Sequence, residues 1–256
     1  MAERSRSYRT RAVILRRRDH GDADRILTVF TPRRGRLELI ARGVRRTTSR
    51  RSGHLEPFIH VDLQVAQGRT WDVVTEATTV ESFRGLRSDL GRIGRAGYVA
   101  ELVDAFGQAD PEALMGLWEL LLLALRELDT GGGHPDLLLR WFEIHLLGLM
   151  GFQPELARCL GCGEPLQPVT NFLSLQAGGF YCPSCGERLE QGDPVEATVL
   201  KVLRHLQRSP WSAVRSLRLR RSTQAQVESV LQRYLAAVLE RRPRSLHVLH
   251  RLRSLG

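Results

Sequence analysis

PFIHVDLQVAQ occupies residues 57–67. Ile59, Val61, Leu63 and Val65 share one parity, and Asp62 and Gln64 share the other. A period of two over this length reads as a strand with one face buried and one face wet. Four more strands surround it. YRTRAVILR (8–16) is rich in β-forming residues, and RILTVFT (25–31) follows the polar turn DHGDAD. GRLELIA (35–41) begins after TPRRG, where Pro and Gly hold their usual turn places, and TWDVVTEA (70–77) follows the tight QGR turn. Five strands in about 80 residues with one long connection suit a small closed barrel of the OB type. Barrels of this type bind nucleic acid on an open strand face and its bordering loops.

The long connection is basic. IARGVRRTTSRRSG (40–53) holds five arginines between Arg42 and Arg51 and no acid. The formal net charge of the chain is +10, and residues 1–60 hold 16 arginines against six acids. Residues 61–256 hold 22 basic and 22 acidic residues and read as neutral. Lys201 is the only lysine, so a bias toward Arg over Lys runs through the chain, but that bias does not explain charge confined to one end. A polyanion-binding domain followed by a neutral one is the simplest reading.

Beyond residue 85 the apolar spacing becomes helical. Ile93, Gly97, Ala100, Leu102 and Phe106 mark one helix that stops at Gly107. DPEALMGLWELLLLALREL (110–128) opens on an Asp-Pro-Glu start. HPDLLLRWFEIHLLGLMGF (134–152) is apolar nearly all round, as the centre of a helical domain should be. DTGGG between these two lacks a Gly-Lys-Ser/Thr ending and follows a helix, so it is a connection and not a phosphate-binding loop. PVEATVLKVLRHLQRSP (194–210) and TQAQVESVLQRYLAAVLERR (223–242) are amphipathic helices. The expected class is α+β: an OB-fold domain at 1–82, then a helical domain at 83–256 with a metal module at about 157–190. No apolar run approaches the roughly 18 residues that span a bilayer. The first residues lack the apolar segment of a secretory leader, so the cytoplasm is the expected location.

All four cysteines fall within the module, as CLGC (159–162) and CPSC (182–185). Each Cys-x-x-Cys places two thiolates on one turn, at the separation a tetrahedral metal needs. A structural zinc held by Cys159, Cys162, Cys182 and Cys185 is the leading reading. Gly163 and Gly186 follow the pairs, where sharp turns are expected to free backbone N–H groups toward sulfur. Two disulfides are opposed by a reducing cytosol, and a redox dithiol lacks its βαβ context. Four thiolates close the coordination sphere, so no chemistry is expected at the metal. His145 and Glu143 lie on the very apolar helix and read as a paired core-edge set, not a general acid and base. No Gly-x-Ser-x-Gly elbow occurs. The chain reads as a binding protein, not an enzyme.

The stretch AVILRRRDHGDADRILTVFTPRRGRLELIARGVRRTTSRRSGHLEPF resembles the N-terminus of the RecO family of bacterial recombination mediators. The shared run is an Asp-Arg turn into the second strand, a Thr-x-x-x-Gly turn, Ala-x-Gly-x-Arg-Arg and a Leu-x-Pro-Phe strand start. RWFEIHLLGLMGFQPELARCLGCG is similar to the family's central helix and its approach to the metal knuckle. RYLAAVLERRPRSLHVLHRL is similar to its C-terminal helix. Some members lack the cysteines, and this chain keeps all four. The resemblance implies binding to single- and double-stranded DNA, annealing of complementary strands and partnership with RecR. It also implies contact with the acidic tail of single-stranded-DNA-binding protein (SSB) and loading of RecA onto SSB-coated DNA, work done at the nucleoid. The alternative is an RNA- or ribosome-associated OB protein with a zinc ribbon.

On this reading the 42–51 stretch lies against phosphates. Arg36 and Arg42 share parity on the third strand, and Arg45, Arg46, Arg50 and Arg51 extend that face along the connection. Guanidinium forks suit phosphate oxygens, and Thr47, Thr48 and Ser49 add neutral donors. Phe58 sits opposite the apolar face of the fourth strand, where it either stacks on a base or packs beneath the loop. For the SSB tail, the helix at 135–151 offers Arg140 as a rim cation among Phe142, Leu147 and other apolar residues, unless Arg140 pairs with Glu143. The arginines at 215–221 are the next choice.

Overall fold

The computed structural model describes residues 7–131 and 134–254. Five strands come first: β1 (Ser7–His20), β2 (Asp24–Thr31), β3 (Gly35–Ala41), β4 (His60–Ala66) and β5 (Asp72–Glu81). They close a barrel in the order β1-β2-β3-β5-β4, with β4 pairing back onto β1. All contacts are antiparallel except β3 with β5. This is the expected OB-type closure, and it leaves no sheet edge open. Ile59, Val61, Leu63 and Val65 fill the interior with Ile14, Leu27, Val29, Leu39 and Val74, as the period-two reading requires.

The barrel is built to receive helices on its outside. After the turn α1 (Arg84–Arg87) come α2 (Leu90–Phe106) and α3 (Pro111–Thr130). Asp110 caps α3 by accepting from the N–H groups of Glu112 and Ala113. Gly35 has φ +61°, and a Cβ there would lie 2.2 Å from the Gly107 carbonyl oxygen. Only glycine permits that approach, in which Arg36 N–H donates to Gly107 O at 2.7 Å.

An ion cluster links β4, β5 and α3. Arg126 donates to both oxygens of Glu81 at 2.8 and 2.7 Å, and Nδ1 of the buried His60 lies 2.9 Å from Glu81 Oε1. Arg126 and, less strongly, His60 hold the Glu81 carboxyl at about 2, against the cost of its partial burial. A carboxylate held below its ordinary value of 4.5 contributes stability that is complete above that pH. The contribution is lost as the pH falls through 4.5 toward 2. Thermal melts across this window should therefore drop more steeply for the native chain than for Glu81→Gln. Parallel curves would show that Glu81 does not couple protons to folding.

The remaining elements are α4 (Pro135–Leu149), β6 (Asn171–Ser174), β7 (Gly179–Tyr181), the turn α5 (Pro183–Gly186), β8 (Asp193–Val195), α6 (Ala197–Arg208), the turn α7 (Trp211–Val214), α8 (Arg221–Val238) and α9 (Ser245–Ser254). The strands form a small sheet in the order β7-β6-β8. α4 is buried nearly all round and packs with α6 and α8, as its composition predicts.

Compactness divides the chain differently from the change of secondary structure near residue 83. One unit runs through residue 131 and takes back residues 245–256, and the other covers 132–244. The second unit is thus an insertion between α3 and α9. The sequence reading ran one helix to residue 242 and likened the last stretch to a single C-terminal helix. In the structure Val238 ends α8, and α9 starts beyond Pro243 and packs on α2. Glu101 of α2 accepts from Ser245 N–H at 2.8 Å and fixes the start of α9. The N-terminal residues 1–6 and Gly132 and Gly133 of the expected connection lie outside the described residues.

Candidate nucleic-acid interface and metal centre

The arginine-rich connection is an ordered loop. Val44 and Leu55 insert into the barrel core and are wholly buried. Each such anchor contributes roughly 1.5–3 kcal/mol. Gly43, at φ +64°, turns the chain and donates its N–H to Asp24 Oδ1 at 2.7 Å. Arg45 N–H donates to Ala23 O at 2.9 Å, and its guanidinium reaches Gly21 O at 3.2 Å. Arg51 is half-buried and donates to the carbonyls of Val74 and Arg42, which staples the loop to β5.

These anchors leave Arg42, Arg45, Arg46 and Arg50 exposed. Arg45 lies 3.4 Å from Asp19, a half-exposed acid. Among the described residues no ion pair engages Arg42, Arg46 or Arg50. An open pocket of about 370 Å³ lies under the loop, lined by Arg25, Arg45, Arg46, Thr47, Ser52 and Glu56 among others. Glu56 there pairs with Arg17 and Arg25 at 3.0 and 3.2 Å, so part of the basic charge is balanced internally.

The structure moves three of the sequence-chosen positions away from a DNA-facing role. Arg36 points to α2, where Asp104 engages its guanidinium, and Glu38 on β3 itself takes a second donor. It is half-buried there, so its donors are spent on carboxylates although Arg42, of the same parity, stays exposed. Arg51 spends its donors on the loop's own carbonyls. Phe58 is 8% exposed at φ +68° and its N–H donates to Ile14 O. The alternation fails there because β4 begins only at His60, so the packed alternative holds and stacking on a base does not.

The positions chosen for a peptide tail are also buried. Arg140, Phe142 and Leu147 are 1%, 0% and 0% exposed. Arg140 Nη2 lies 2.7 Å from Glu143 Oε1, and its Nη1 lies 3.6 Å from Glu228 of α8. A wholly buried cation cannot rim a pocket. His145 lies 3.0 Å from the Leu206 carbonyl, and burial pushes its imidazole below the ordinary range. Both His145 and Glu143 are core groups, as read.

The four cysteine sulfurs lie within 4.8 Å of one another, and Cys162 and Cys182 are 3.9 Å apart. Four sulfurs at roughly 2.3 Å from a central zinc stand about 3.8 Å apart, so the cluster fits a tetrahedral ion. Backbone N–H groups reach sulfur, among them those of Gly161 and Cys182 at 3.4 and 3.2 Å from Cys159 Sγ. Gly163 and Gly186 close the expected turns by donating to the Cys159 and Cys182 carbonyls. Burial raises the Cys159 thiol, but these N–H donors and that of Cys162 outweigh it and bring the thiol to about 6. The hydrogen bond with Cys182, followed by burial and the other thiols, pushes Cys185 up to about 12.

With this geometry in place, the chain can be compared with known proteins. A family model described as Recombination protein O N terminal matches residues 4–83, and one described as Recombination protein O C terminal matches residues 87–247. A protein of a Roseiflexus species named DNA repair protein RecO is 42% identical over 252 residues, which cover 98% of this chain and 88% of that one. Proteins of the same name from Dehalococcoides mccartyi and Desulforudis audaxviator are 37% and 38% identical over 96% of this chain, and 96% and 98% of theirs. No helix among the described residues is long and apolar enough to cross a membrane. Both parts of the chain match in order and nearly from end to end, and so the chain belongs to the recombination protein O (RecO) family of DNA repair proteins.

Proposed function

We propose that the chain is a non-enzymatic recombination mediator that binds single- and double-stranded DNA and anneals complementary strands. With RecR it helps to load RecA on SSB-coated single strands at the nucleoid. The observation that carries this reading is the acid-free arginine loop, anchored by Val44 and Leu55 with Arg42, Arg46 and Arg50 exposed and unpaired among the described residues. Such a surface neutralises backbone phosphates without reading base edges, which suits a protein that must act on any sequence. In this reading Arg42, Arg45, Arg46 and Arg50 touch phosphate. Arg51, Arg36 and Phe58 hold the surface in shape. Zinc, held by the four cysteines, is structural.

The resemblance also implies a site for the acidic SSB tail. A groove of about 420 Å³ along α3 offers it the apolar Met115, Trp118 and Leu122, but Glu119 and Glu127 also line the groove and its Arg126 is already bound to Glu81.

Charge reversal of Arg42, Arg45 and Arg46 to Glu should weaken single-strand binding by about 100-fold at moderate salt. It should also flatten the log–log salt dependence by about two units, near 0.7 per lost phosphate contact. Sequence preference should not change. Wild-type affinity and slope in the folded triple variant would place the DNA elsewhere. Annealing of complementary strands by the native chain separates this reading from an RNA- or ribosome-associated protein.

A further inference from the structure

The apparent neutrality of the chain after residue 60 is an average of two opposite parts. Residues 61–200 hold nine basic and 20 acidic residues, and residues 201–256 hold 13 basic and two acidic ones. No acid occurs between Glu196 and Glu228. Within that gap lies VRSLRLRRST (214–223), which joins α7 to α8. Its composition repeats that of the barrel loop VRRTTSRRS (44–52): arginines separated by apolar or hydroxyl residues, with no acid.

The structure exposes this charge. Arg215, Arg218, Arg220 and Arg221 are all exposed, and none makes an ion pair or a side-chain hydrogen bond among the described residues. Leu217 and Leu219 are partly buried between them, so Arg218 and Arg220 leave the chain on the same side. Residues 217–220 form no helix or strand and Arg220 is extended at φ −63°, ψ 146°, so the guanidinium forks are spread along the chain. Ser216 and Ser222 are exposed beside them as neutral donors. The first turn of α8 carries no acid that would offset the charge.

We propose that Arg215, Arg218, Arg220 and Arg221 form a second phosphate-binding surface, which holds a nucleic-acid strand distinct from the one on the barrel loop. This rests on the DNA-binding reading above and deepens it, because annealing needs two strands held by one agent against the mutual repulsion of their backbones. A nucleic acid is favoured over an acidic peptide because the surface is a spread row of arginines with hydroxyl donors, the same chemistry as the barrel loop. A peptide tail wants an apolar pocket with one cation at its rim.

The test uses the full zinc-loaded chain and two short, non-complementary single strands carrying different dyes. The native chain should bring both dyes together. Arg215→Glu, Arg218→Glu, Arg220→Glu and Arg221→Glu combined should keep one strand at native affinity. The same variant should weaken capture of the second by about tenfold or more and lower its salt slope by up to about three units. Equal melting temperature and zinc content establish that the variant is folded, and the corresponding four-fold Arg→Gln variant should give a smaller loss of the same kind. Undiminished two-strand capture by both variants overturns the proposal. So does retention of both strands with loss of a poly-glutamate peptide, which would assign the surface to an acidic protein partner. Failure of the native chain to bind any strand would overturn the DNA-binding reading itself, and this inference with it.

Discussion

Glu143→Ala should cost about 3–5 kcal/mol of stability, although Glu143 touches no proposed ligand. Glu143 is 0% exposed on α4, and its partner Arg140 is the largest of the fully buried side chains. The substitution removes the 2.7 Å contact with Glu143 and leaves Glu228 3.6 Å from the Arg140 guanidinium, which is 1% exposed. A buried cation that loses its nearest carboxylate keeps its desolvation cost and loses much of its compensation, so the penalty exceeds that of an exposed pair several-fold. The combined change Arg140→Met with Glu143→Leu removes both charges and should cost far less than Glu143→Ala alone. Denaturant unfolding of the three variants decides the matter. Near-additive losses would show that the two side chains do not act as a pair. Arg140→Ala therefore tests folding before it tests any peptide contact.

The barrel was legible because its signals are local. Alternation in 57–67, turn residues at 31–35 and 67–69, and the two Cys-x-x-Cys pairs each declare themselves within a few residues. Helices were legible for the same reason, from Asp110 at the cap of α3 to Gly107 at the end of α2. What failed depended on partners far along the chain. Arg36 has the parity of a DNA-facing residue, but Asp104 lies 68 residues away and takes its guanidinium. Phe58 was assigned a face by extending the period of β4 two residues too far, into a position at φ +68°. Arg140 was read as a rim cation unless it paired with Glu143, and the pair forms, with Glu228 of α8 brought beside it. Charge misled in another way. Summing over 196 residues cancelled an acidic stretch against a basic one, so the arginines at 215–221 were noted only as a second choice for the peptide tail and not as a basic patch. The anchoring of the loop by Val44 and Leu55 was visible only as two apolar residues in a basic stretch. Its meaning came from the closed barrel beneath them.

Cys182→Ser should remove the bound metal and destabilise the unit made of residues 132–244 by about 4 kcal/mol or more, on the order of 10 °C in melting temperature. The size of this effect follows from how little else holds the module. Its strands β6, β7 and β8 have four, three and three residues. Strands this short and this few are marginal without an added constraint. Its own buried apolar side chains include Leu156, Leu166, Leu173, Phe180 and Val195. The cysteine pairs, with 19 residues between them, meet at the sulfur cluster beside the Leu160 N–H to Phe180 O hydrogen bond, so an ion held there would tie shut the loop that carries β6 and β7. Cys182 also places the backbone N–H that reaches Cys159 Sγ, and it begins the turn α5 in which Gly186 packs against Phe172. A serine keeps that backbone but loses a thiolate, and three sulfurs with a hydroxyl bind zinc much less tightly. Metal analysis should find about one zinc per native chain and a small fraction of that in the variant. Melting and solubility should fall with the metal, while affinity for the strand on the barrel loop stays near native in the surviving folded fraction because that loop belongs to the other compact unit. A chain freed of metal that melts at the native temperature would show that the four thiols hold the module together without an ion.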